Sequence, residues 1–176
     1  MNHINITNES VLELMSRVPY KYFDLGILDP SANNNIDTHQ YLAATNKACK
    51  KHIIINARKY RLEPSTDCIF YNANERSTNE REYAVASFKI GLERKNFNST
   101  ENFYKWMYRK YLGGNQRLLV GEIGSGLPVM AFKDMFDNKG PRDIQTQVLY
   151  GTEQDPKKYA IVLEKLKTVN IQPTLF

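Results

Sequence analysis

Cysteine and histidine are scarce in this sequence, which limits the chemistry it can carry through metals or disulfides. There are 2 cysteines, Cys49 and Cys68, and 3 histidines, and neither set has the close spacing of a metal-ligand motif. We therefore expect no metal site, and thiols that are buried or incidental. Long apolar runs are lacking as well, since no stretch approaches the roughly 20 residues of a membrane-spanning helix. A membrane is accordingly not an expected partner.

A secretory signal is also missing, because the first ten residues, MNHINITNES, are polar. This predicts a cytoplasmic protein. The hydrophobic fraction of 41% and the length of 176 residues are typical of one globular domain. We expect that domain to span 1–170, followed by a short tail, 171–176. The net charge of +5 permits contact with nucleic-acid phosphates, although a solvated basic surface explains it equally well.

Apolar patterns of two kinds alternate along the chain. Runs rich in β-branched and aromatic residues predict strands, and apolar residues with helical spacing predict helices. Because strands and helices alternate, we expect an α/β fold with a mostly parallel sheet and helices on both faces. The predicted strands are 23–28, 52–56, 67–71, 82–88, a strand in the stretch from Arg117, and 144–153; the predicted helices begin after Ser10, at Thr100, after the glycines at 124–126 and at Pro156.

A glycine turn between a predicted strand and a predicted helix is the first candidate for a ligand site. Gly124, Ser125 and Gly126 would let the backbone approach a ligand at the helix N-terminus. The next strand ends in Glu153, and an acid at that place can accept hydrogen bonds from ribose hydroxyls. The alternative is an ordinary glycine turn with a surface acid nearby.

The order of the motifs resembles that of the small phage-type DNA adenine-N6 methyltransferases, in which the catalytic motif precedes the cofactor glycines. The resemblance runs nearly end to end. It implies a Rossmann-like fold that binds S-adenosylmethionine and an adenine flipped out of the duplex. The stretches that carry it are VLELMSRVPYKYFDLGILDP (11–30), KKHIIINARKYRLEPSTDCIFYN (50–72), FYKWMYRKY (103–111) through the glycine turn, and the ending QPTLF.

The catalytic motif of the resembled family is Asp-Pro-Pro-aromatic, and this chain matches half of it. Asp29 and Pro30 correspond to the first two positions, whereas Ser31 and Ala32 replace the second proline and the aromatic residue. By resemblance, the carboxylate would accept a hydrogen bond from the amino group of the base. The aromatic ring, which would stack on the base, is missing, and such stacking is worth about 1–3 kcal/mol.

Other motifs of the family have changed too. Val120 stands where the family has an acid at the end of the strand before the glycines; a shifted alignment offers Glu122, inside the turn. KNFNST (95–100) replaces His-Pro-Thr-Gln-Lys-Pro, and the segment after the catalytic motif is shortened to 33–45. We therefore interpret the chain as a degenerate, catalytically inactive homologue that acts as a regulatory module binding DNA or protein.

Two other interpretations stay open. The chain could be an active S-adenosylmethionine-dependent DNA adenine-N6 methyltransferase with an altered catalytic motif, or a binding protein unrelated to DNA. For the inactive form we expect no cofactor, or S-adenosylmethionine if any. By resemblance, the partners would be DNA and either a second copy of the chain or an active methyltransferase.

The C-terminal tail carries a further motif. Gln172, Leu175 and Phe176 form a Gln-x-x-Leu-Phe pattern that resembles the peptide by which bacterial replication proteins bind the sliding clamp. An apolar pair at a chain end can fill a hydrophobic pocket while the glutamine hydrogen-bonds beside it. Alternatively, the same pair packs back on the domain.

Overall fold

The structure is a computed structural model that describes residues 3–30, 37–73, 82–137 and 147–167. Within these ranges the strands are β1 His3–Thr7, β2 Phe23–Leu28, β3 Cys49–Ile54, β4 Cys68–Asn72, β5 Glu82–Ala86, β6 Leu92–Asn96, β7 Arg117–Gly121 and β8 Val148–Thr152. The helices are α1 Val11–Arg17, α2 Thr38–Ala48, α3 Thr100–Tyr111, α4 Leu127–Asp137 and α5 Pro156–Lys165, with a 3₁₀ turn at Ala57–Tyr60.

All eight of these strands belong to one sheet, in the order β1-β8-β7-β2-β3-β5-β4-β6. Strand β5 runs antiparallel to its neighbours β3 and β4, and the other neighbouring strands run parallel to each other. The predicted mostly parallel sheet is therefore confirmed. Parallel strands need crossover connections, and helices α2 and α4 supply two of them.

Helices cover both faces of the sheet, as predicted. Helices α1 and α2 bury their apolar sides on one face, and α3, α4 and α5 bury theirs on the other. The central strands are apolar on both sides because both faces are covered. In β2 and β7 the fully buried apolar residues are Phe23, Leu28 and Leu119 on the face of α1 and α2, and Leu25, Ile27, Leu118 and Val120 on the opposite face.

Two helix starts follow directly from local sequence. Ser10 caps α1 and forms a capping box with Glu13, whose side chain accepts a hydrogen bond from the Ser10 backbone N–H at 2.8 Å. Asp155 caps α5, where Pro156 takes the first helical position. Each cap is worth about 1 kcal/mol of helix stability. Both were predicted from sequence and are confirmed.

Three elements were not predicted. Strand β1 is hidden in a polar stretch, but its Ile4 and Ile6 alternate and are buried. Helix α2 occupies most of the segment interpreted as a shortened loop, with Tyr41 and Thr45 on its buried side. Strand β6 is a charged, exposed edge strand with almost no apolar residues, so its sequence pattern does not predict a strand. The bounds of β3 differ from the predicted strand 52–56. In the structure β3 begins earlier, at Cys49, and ends earlier, at Ile54.

The scarce residues behave as ordinary core or surface groups where the structure describes them. Cys49 and Cys68 are free and buried, and burial raises the pKa of Cys49 to about 12, so its thiol is protonated at neutral pH. Across the described ranges, no three metal-ligating side chains converge on a common point. No helix in the same ranges has both the length and the apolar character needed to cross a membrane.

Candidate ligand-binding site

The centre of the sheet contains a reversal of strand order. From β2 the chain passes through α2 to β3 on one side, whereas from β7 it passes through α4 to β8 on the other. Strands β2 and β7 are themselves neighbours, with Leu28 paired to Gly121 at their carboxyl ends. In open α/β sheets, ligands bind in the crevice outside the strand ends at such a reversal.

A cavity of about 230 Å³ lies at this point. It is bounded by the residues that follow β2 and β7, by the first turns of α3, and by the glycine turn that leads into α4. The residues that line it are Asp29, Thr100, Tyr104, Glu122, Ile123, Gly124, Ser125, Leu127 and Pro128. Of the residues predicted from sequence, Asp29, Gly124 and Ser125 are thus brought together.

The Asp29 carboxylate is held in place by a hydrogen-bonded chain of two residues, Asn56 after β3 and Tyr71 on β4. The Asn56 side-chain amide donates to Asp29 Oδ2 at 2.7 Å, and the Tyr71 hydroxyl donates to Asn56 Oδ1 at 2.9 Å. The Tyr71 ring stacks on Phe103 of α3, with ring centroids 4.2 Å apart. Asn56 itself has a left-handed backbone with φ 54°, a conformation that asparagine tolerates better than most residues. Sequence analysis missed this support because its members are distant along the chain.

Glu122 faces the same cavity as Asp29. It has a positive φ of 53°, lies in the turn after β7, and is 6% exposed. Its Oε1 accepts a hydrogen bond from the backbone N–H of Val11, the first residue of α1, at 3.3 Å. Burial raises the pKa of the Glu122 carboxyl to about 7, with a smaller contribution from the negative charge of Glu153. The sequence placed Glu122 inside the turn, which is correct, but did not predict that it would line the cavity.

Tyr104 supplies a polar group inside the cavity. The residue is 7% exposed, and its hydroxyl has no hydrogen-bond partner among the residues that the structure describes. Burial, together with the negative charge of Asp29, raises the pKa of Tyr104. The phenol is therefore neutral at physiological pH and can donate a hydrogen bond to a bound ligand.

Glycine is favoured at the two glycine positions of the turn for different structural reasons. At Gly126, with φ +83°, an added Cβ would lie 3.0 Å from Val162 Cγ2, so the absence of a side chain lets the turn pack on α5. At Gly124, with φ +55°, the nearest atom to such a Cβ would be the Glu122 carbonyl oxygen at 4.0 Å. Packing thus accounts for Gly126, whereas at Gly124 the positive φ, and not a close neighbour, favours glycine.

Glu153 supports the glycine turn from behind. It is 2% exposed; its Oε2 accepts a hydrogen bond from the Gly124 N–H at 2.8 Å and its Oε1 accepts one from the Asp155 N–H at 2.9 Å. In this arrangement the carboxylate connects the turn to the start of α5. The role toward ribose hydroxyls that the sequence suggested for Glu153 stays a prediction.

The other predicted residues lie elsewhere or outside the described ranges. Pro30 is buried on the other side of the strand end, beside a small apolar cavity of about 10 Å³ that Tyr41 also lines. Val120 is 1% exposed and belongs to the hydrophobic core. Five predicted residues lie outside the residues described, namely Ser31, Ala32, Gln172, Leu175 and Phe176.

A basic segment stands directly after Asn56 in the chain. Arg58, Lys59 and Arg61 are exposed and follow Asn56, whose side chain contacts Asp29. They stand in and after the 3₁₀ turn that leaves the carboxyl end of β3, and Arg61 has a left-handed backbone. Positive side chains at the edge of a cleft attract phosphate groups.

No family model and no curated protein matches this chain. Solved structures do match, and DNA methyltransferases are among them. M1.HpyAVI matches with a TM-score of 0.60 at 13% identity, over 96% of this chain and 100% of that chain. TTHA0409, a putative DNA modification methylase from Thermus thermophilus, matches with a TM-score of 0.59 at 11% identity, over 97% of this chain and 96% of that chain. The PvuII DNA methyltransferase, which is cytosine-N4-specific, matches with a TM-score of 0.63 at 10% identity, over 96% of this chain and 88% of that chain.

The chain therefore has the Rossmann-like fold of S-adenosylmethionine-dependent methyltransferases, which confirms the predicted fold class. The similarity covers nearly the whole chain. Structures of M1.HpyAVI and of TTHA0409 in complex with S-adenosylmethionine also match, with TM-scores of 0.61 and 0.59. At these levels of identity the likeness concerns the fold.

Proposed function

We propose that the protein is a degenerate homologue of the phage-type DNA adenine methyltransferases, that it no longer transfers a methyl group, and that it acts as a regulatory module on DNA or on another protein. One observation carries this proposal. The methyltransferase fold is complete over nearly the whole chain, yet only Asp29 and Pro30 correspond to the catalytic motif of the resembled family. A preserved core beside a reduced active site is what results when only the scaffold is still required.

The surroundings of the glycine turn support the same proposal. Val120 is buried in the core where the resembled family carries an acid. The Glu153 carboxylate, which would bind ribose, accepts two main-chain hydrogen bonds from the protein itself. We propose that the missing acid and the engagement of Glu153 within the protein both weaken the binding of a nucleoside in the orientation that methyl transfer requires.

The cavity nevertheless fits part of S-adenosylmethionine. This cofactor supplies an electrophilic methyl group on a positively charged sulfonium, and it also carries an ammonium group. Asp29 and Glu122 offer carboxylates to these positive charges. Thr100, Tyr104 and Ser125, which also line the cavity, offer hydroxyl groups. We propose S-adenosylmethionine as the first ligand to test, and we propose that it is bound without reacting.

A transfer assay tests the loss of catalysis. The protein is incubated with labelled S-adenosylmethionine and adenine-containing duplex DNA, and incorporation of label is compared with that of Asp29→Ala. We expect equal background for both proteins, because the amino group of the base would lack the aromatic stacking that positions it. Incorporation that exceeds the Asp29→Ala background would overturn the proposal.

That same outcome would favour the alternative function, an active DNA adenine-N6 methyltransferase with an altered motif. The observation in its favour is the fixed Asp29 carboxylate at the cavity wall, since a positioned acceptor is what the amino group of a base needs. Product analysis of the methylated DNA would then identify the position that is modified.

DNA binding is tested through its dependence on salt. Fluorescence anisotropy with a labelled duplex is measured for wild type and for the double variant Lys59→Ala/Arg61→Ala, at several salt concentrations. We expect the variant to bind more weakly and to show a smaller salt slope, by about one unit for each phosphate that the variant no longer neutralises. Lys157→Ala, an exposed lysine of α5, is the matched control. Equal salt slopes for all three proteins would exclude Lys59 and Arg61 as DNA contacts.

We also propose a protein partner, either a second copy of the chain or an active methyltransferase. Light scattering coupled to size-exclusion chromatography measures the first directly. Mixing with a catalytically active methyltransferase of the same fold, and measuring its rate of methyl transfer, tests the second. A monomer that leaves the rate of the active enzyme unchanged would contradict both forms of partnership.

A further inference from the structure

Strand β6 forms one edge of the sheet, and its outer side is accessible. Among the described residues it pairs only with β4, in parallel register from Cys68 beside Leu92 to Asn72 beside Asn96. All residues of β6 except Glu93 are exposed, and Leu92 is 57% exposed. An edge strand of this kind can pair with a strand of another chain.

The main chain of β6 presents hydrogen-bonding groups outward at alternate residues. The N–H of Phe97, directly after the strand, donates to the Asn72 carbonyl at 2.8 Å, so residue 97 faces β4. Because the N–H and C=O groups of a strand alternate between its two sides, those of Glu93 and Lys95 face β4 as well. The other three residues of β6 therefore point their N–H and C=O groups away from the sheet. They are Leu92, Arg94 and Asn96.

The side chains of this edge carry a positive charge. The Arg94 guanidinium carbon lies 5.9 Å from the centroid of the Phe70 ring, and Lys95 Nζ lies 5.9 Å from that of the Trp106 ring. Within the part of the chain that the structure describes, neither Arg94 nor Lys95 forms an ion pair. Glu93, the one acid of the strand, already forms an ion pair with Lys110. The edge therefore attracts negative charge.

The two cations stand on opposite faces of the sheet. Tyr71 of β4 stacks on Phe103 of α3, so its neighbour Phe70 points to the other face, and Arg94 lies there with it. Lys95 lies on the side of α3, over Trp106. An acidic side chain on a strand added beside β6 would thus meet a cation on either face.

We propose that the outer edge of β6 is a docking site for an extended, acidic segment of another protein, which adds a further strand to the sheet. Such a segment satisfies both the N–H and the C=O groups of the edge, and its carboxylates pair with the two cations. The phosphates of a nucleic acid accept hydrogen bonds but donate none, so they would leave the carbonyls unpaired. This inference goes beyond the proposed function, because it holds whether or not the protein transfers a methyl group.

Charge disfavours a second copy of the chain as the occupant. In an antiparallel pair, directly opposite residues face the same way, so a twofold axis between two copies of β6 passes through a residue. Pairing about Glu93, Arg94 or Lys95 would place that charged residue opposite its own copy. Like charges directly opposite each other are destabilising. The same charges that prevent self-pairing therefore favour an acidic partner.

Fluorescence anisotropy with defined peptides tests the inference. The labelled probe is a short peptide in which valine alternates with glutamate, and its twin has lysine in place of each glutamate. Both are titrated into wild type, Asn96→Pro, Arg94→Glu and the control Lys157→Glu, and thermal unfolding verifies that each protein is folded. Asn96→Pro removes an outward N–H and no bond to β4. Lys157 is exposed on α5, whose Tyr159 hydroxyl donates to the Ile6 carbonyl of β1 at the other end of the sheet.

We expect the acidic peptide to bind wild type and Lys157→Glu equally, and the lysine twin to bind neither. Asn96→Pro should weaken binding about fivefold through the loss of one hydrogen bond. Arg94→Glu should weaken it about tenfold, because attraction becomes repulsion. Unchanged affinity in either β6 variant, equal binding of the lysine twin, or no binding of the acidic peptide at millimolar concentration would overturn the inference.

A labelled single-stranded oligonucleotide distinguishes the other class of polyanion. If it binds more tightly than the acidic peptide, with an affinity that falls in Arg94→Glu but not in Asn96→Pro, the edge is a nucleic-acid contact and the inference is wrong. Weaker binding of the oligonucleotide than of the peptide supports a protein partner. None of these results bears on methyl transfer, so failure here leaves the proposed loss of catalysis intact.

Discussion

Replacing Glu122 with glutamine should stabilise the folded protein at alkaline pH much more than at acidic pH. In the folded state the carboxyl is 6% exposed and its pKa is about 7, compared with the ordinary value of 4.5. The folded protein therefore holds this proton more tightly than the unfolded chain does. Stability from the protonated group is fully present below about pH 4.5 and is lost as the pH rises through about 7.

The magnitude follows from the difference between the two pKa values. A shift from 4.5 to about 7 corresponds to an upper limit of about 3 kcal/mol, because one pKa unit is about 1.4 kcal/mol. The cavity admits water to one side of the carboxyl, and this screening reduces the expected effect to about 2 kcal/mol. Glutamine has nearly the same shape and does not titrate. The stability difference between variant and wild type should thus grow by about 2 kcal/mol between about pH 5 and about pH 8.

The titration of His52 changes the stability with pH in the opposite direction, so its contribution must be separated from that of Glu122. It lies on β3, is 7% exposed, and burial lowers its pKa from 6.5 to about 4. Since the folded state binds this proton less tightly, the contribution of His52 is present above about pH 6.5 and is lost as the pH falls toward about 4. In the wild type, the fall in stability with pH caused by Glu122 and the rise caused by His52 largely cancel where the two pH ranges overlap. Comparison of variant with wild type at each pH removes the His52 contribution.

Urea denaturation at a series of pH values measures the difference. Trp106, the single tryptophan, reports unfolding through its fluorescence, and an unchanged dependence on urea verifies that the two proteins expose similar surface. Glu164→Gln serves as the control, because this acid is exposed on α5 and does not line the cavity. A Glu122→Gln difference that stays within about 0.5 kcal/mol across the interval would refute the reasoning, since it would mean that Glu122 is well solvated.

Three further predictions concern the glycine turn, the support of Asp29 and the tail. Gly126→Ala should lower the free energy of unfolding by about 2–3 kcal/mol, from backbone strain plus overlap with α5, whereas Gly91→Ala, where no atom lies within 4 Å, should cost about 1 kcal/mol of strain alone; equal costs in urea titrations would contradict the packing argument. Asn56→Ala should weaken ligand binding by a factor of about 5, because Asp29 loses a hydrogen bond worth about 1 kcal/mol, and unchanged calorimetric affinity would exclude this positioning role. Removal of 172–176 should abolish retention on an immobilised sliding clamp without changing thermal unfolding; persistent retention would end the clamp hypothesis.

Several parts of the fold were predictable from sequence because their causes are local. Ser10 and Asp155 identify helix starts through side chains that bond to amides two or three residues away. The apolar runs of β2 and β7 identify strands covered on both faces, and Gly113 marks the region where α3 has ended. Strand β6 escaped detection because an exposed edge strand needs no apolar residue, so its place is determined by pairing with β4.

The sequence by itself determined the alternation of strands and helices, and with it the α/β class, because hydrophobic periodicity acts over a few residues. It also identified Asp29 and the glycine turn as separate candidates. Only the tertiary structure brought Asp29 beside Glu122, since their strands are distant in the chain and become neighbours through the pairing of Leu28 with Gly121. Burial at that junction then raised the pKa of Glu122 and enclosed the Tyr104 hydroxyl, and neither effect is encoded in the adjacent residues. The charge of the cavity is therefore a property of strand order, which local sequence does not reveal.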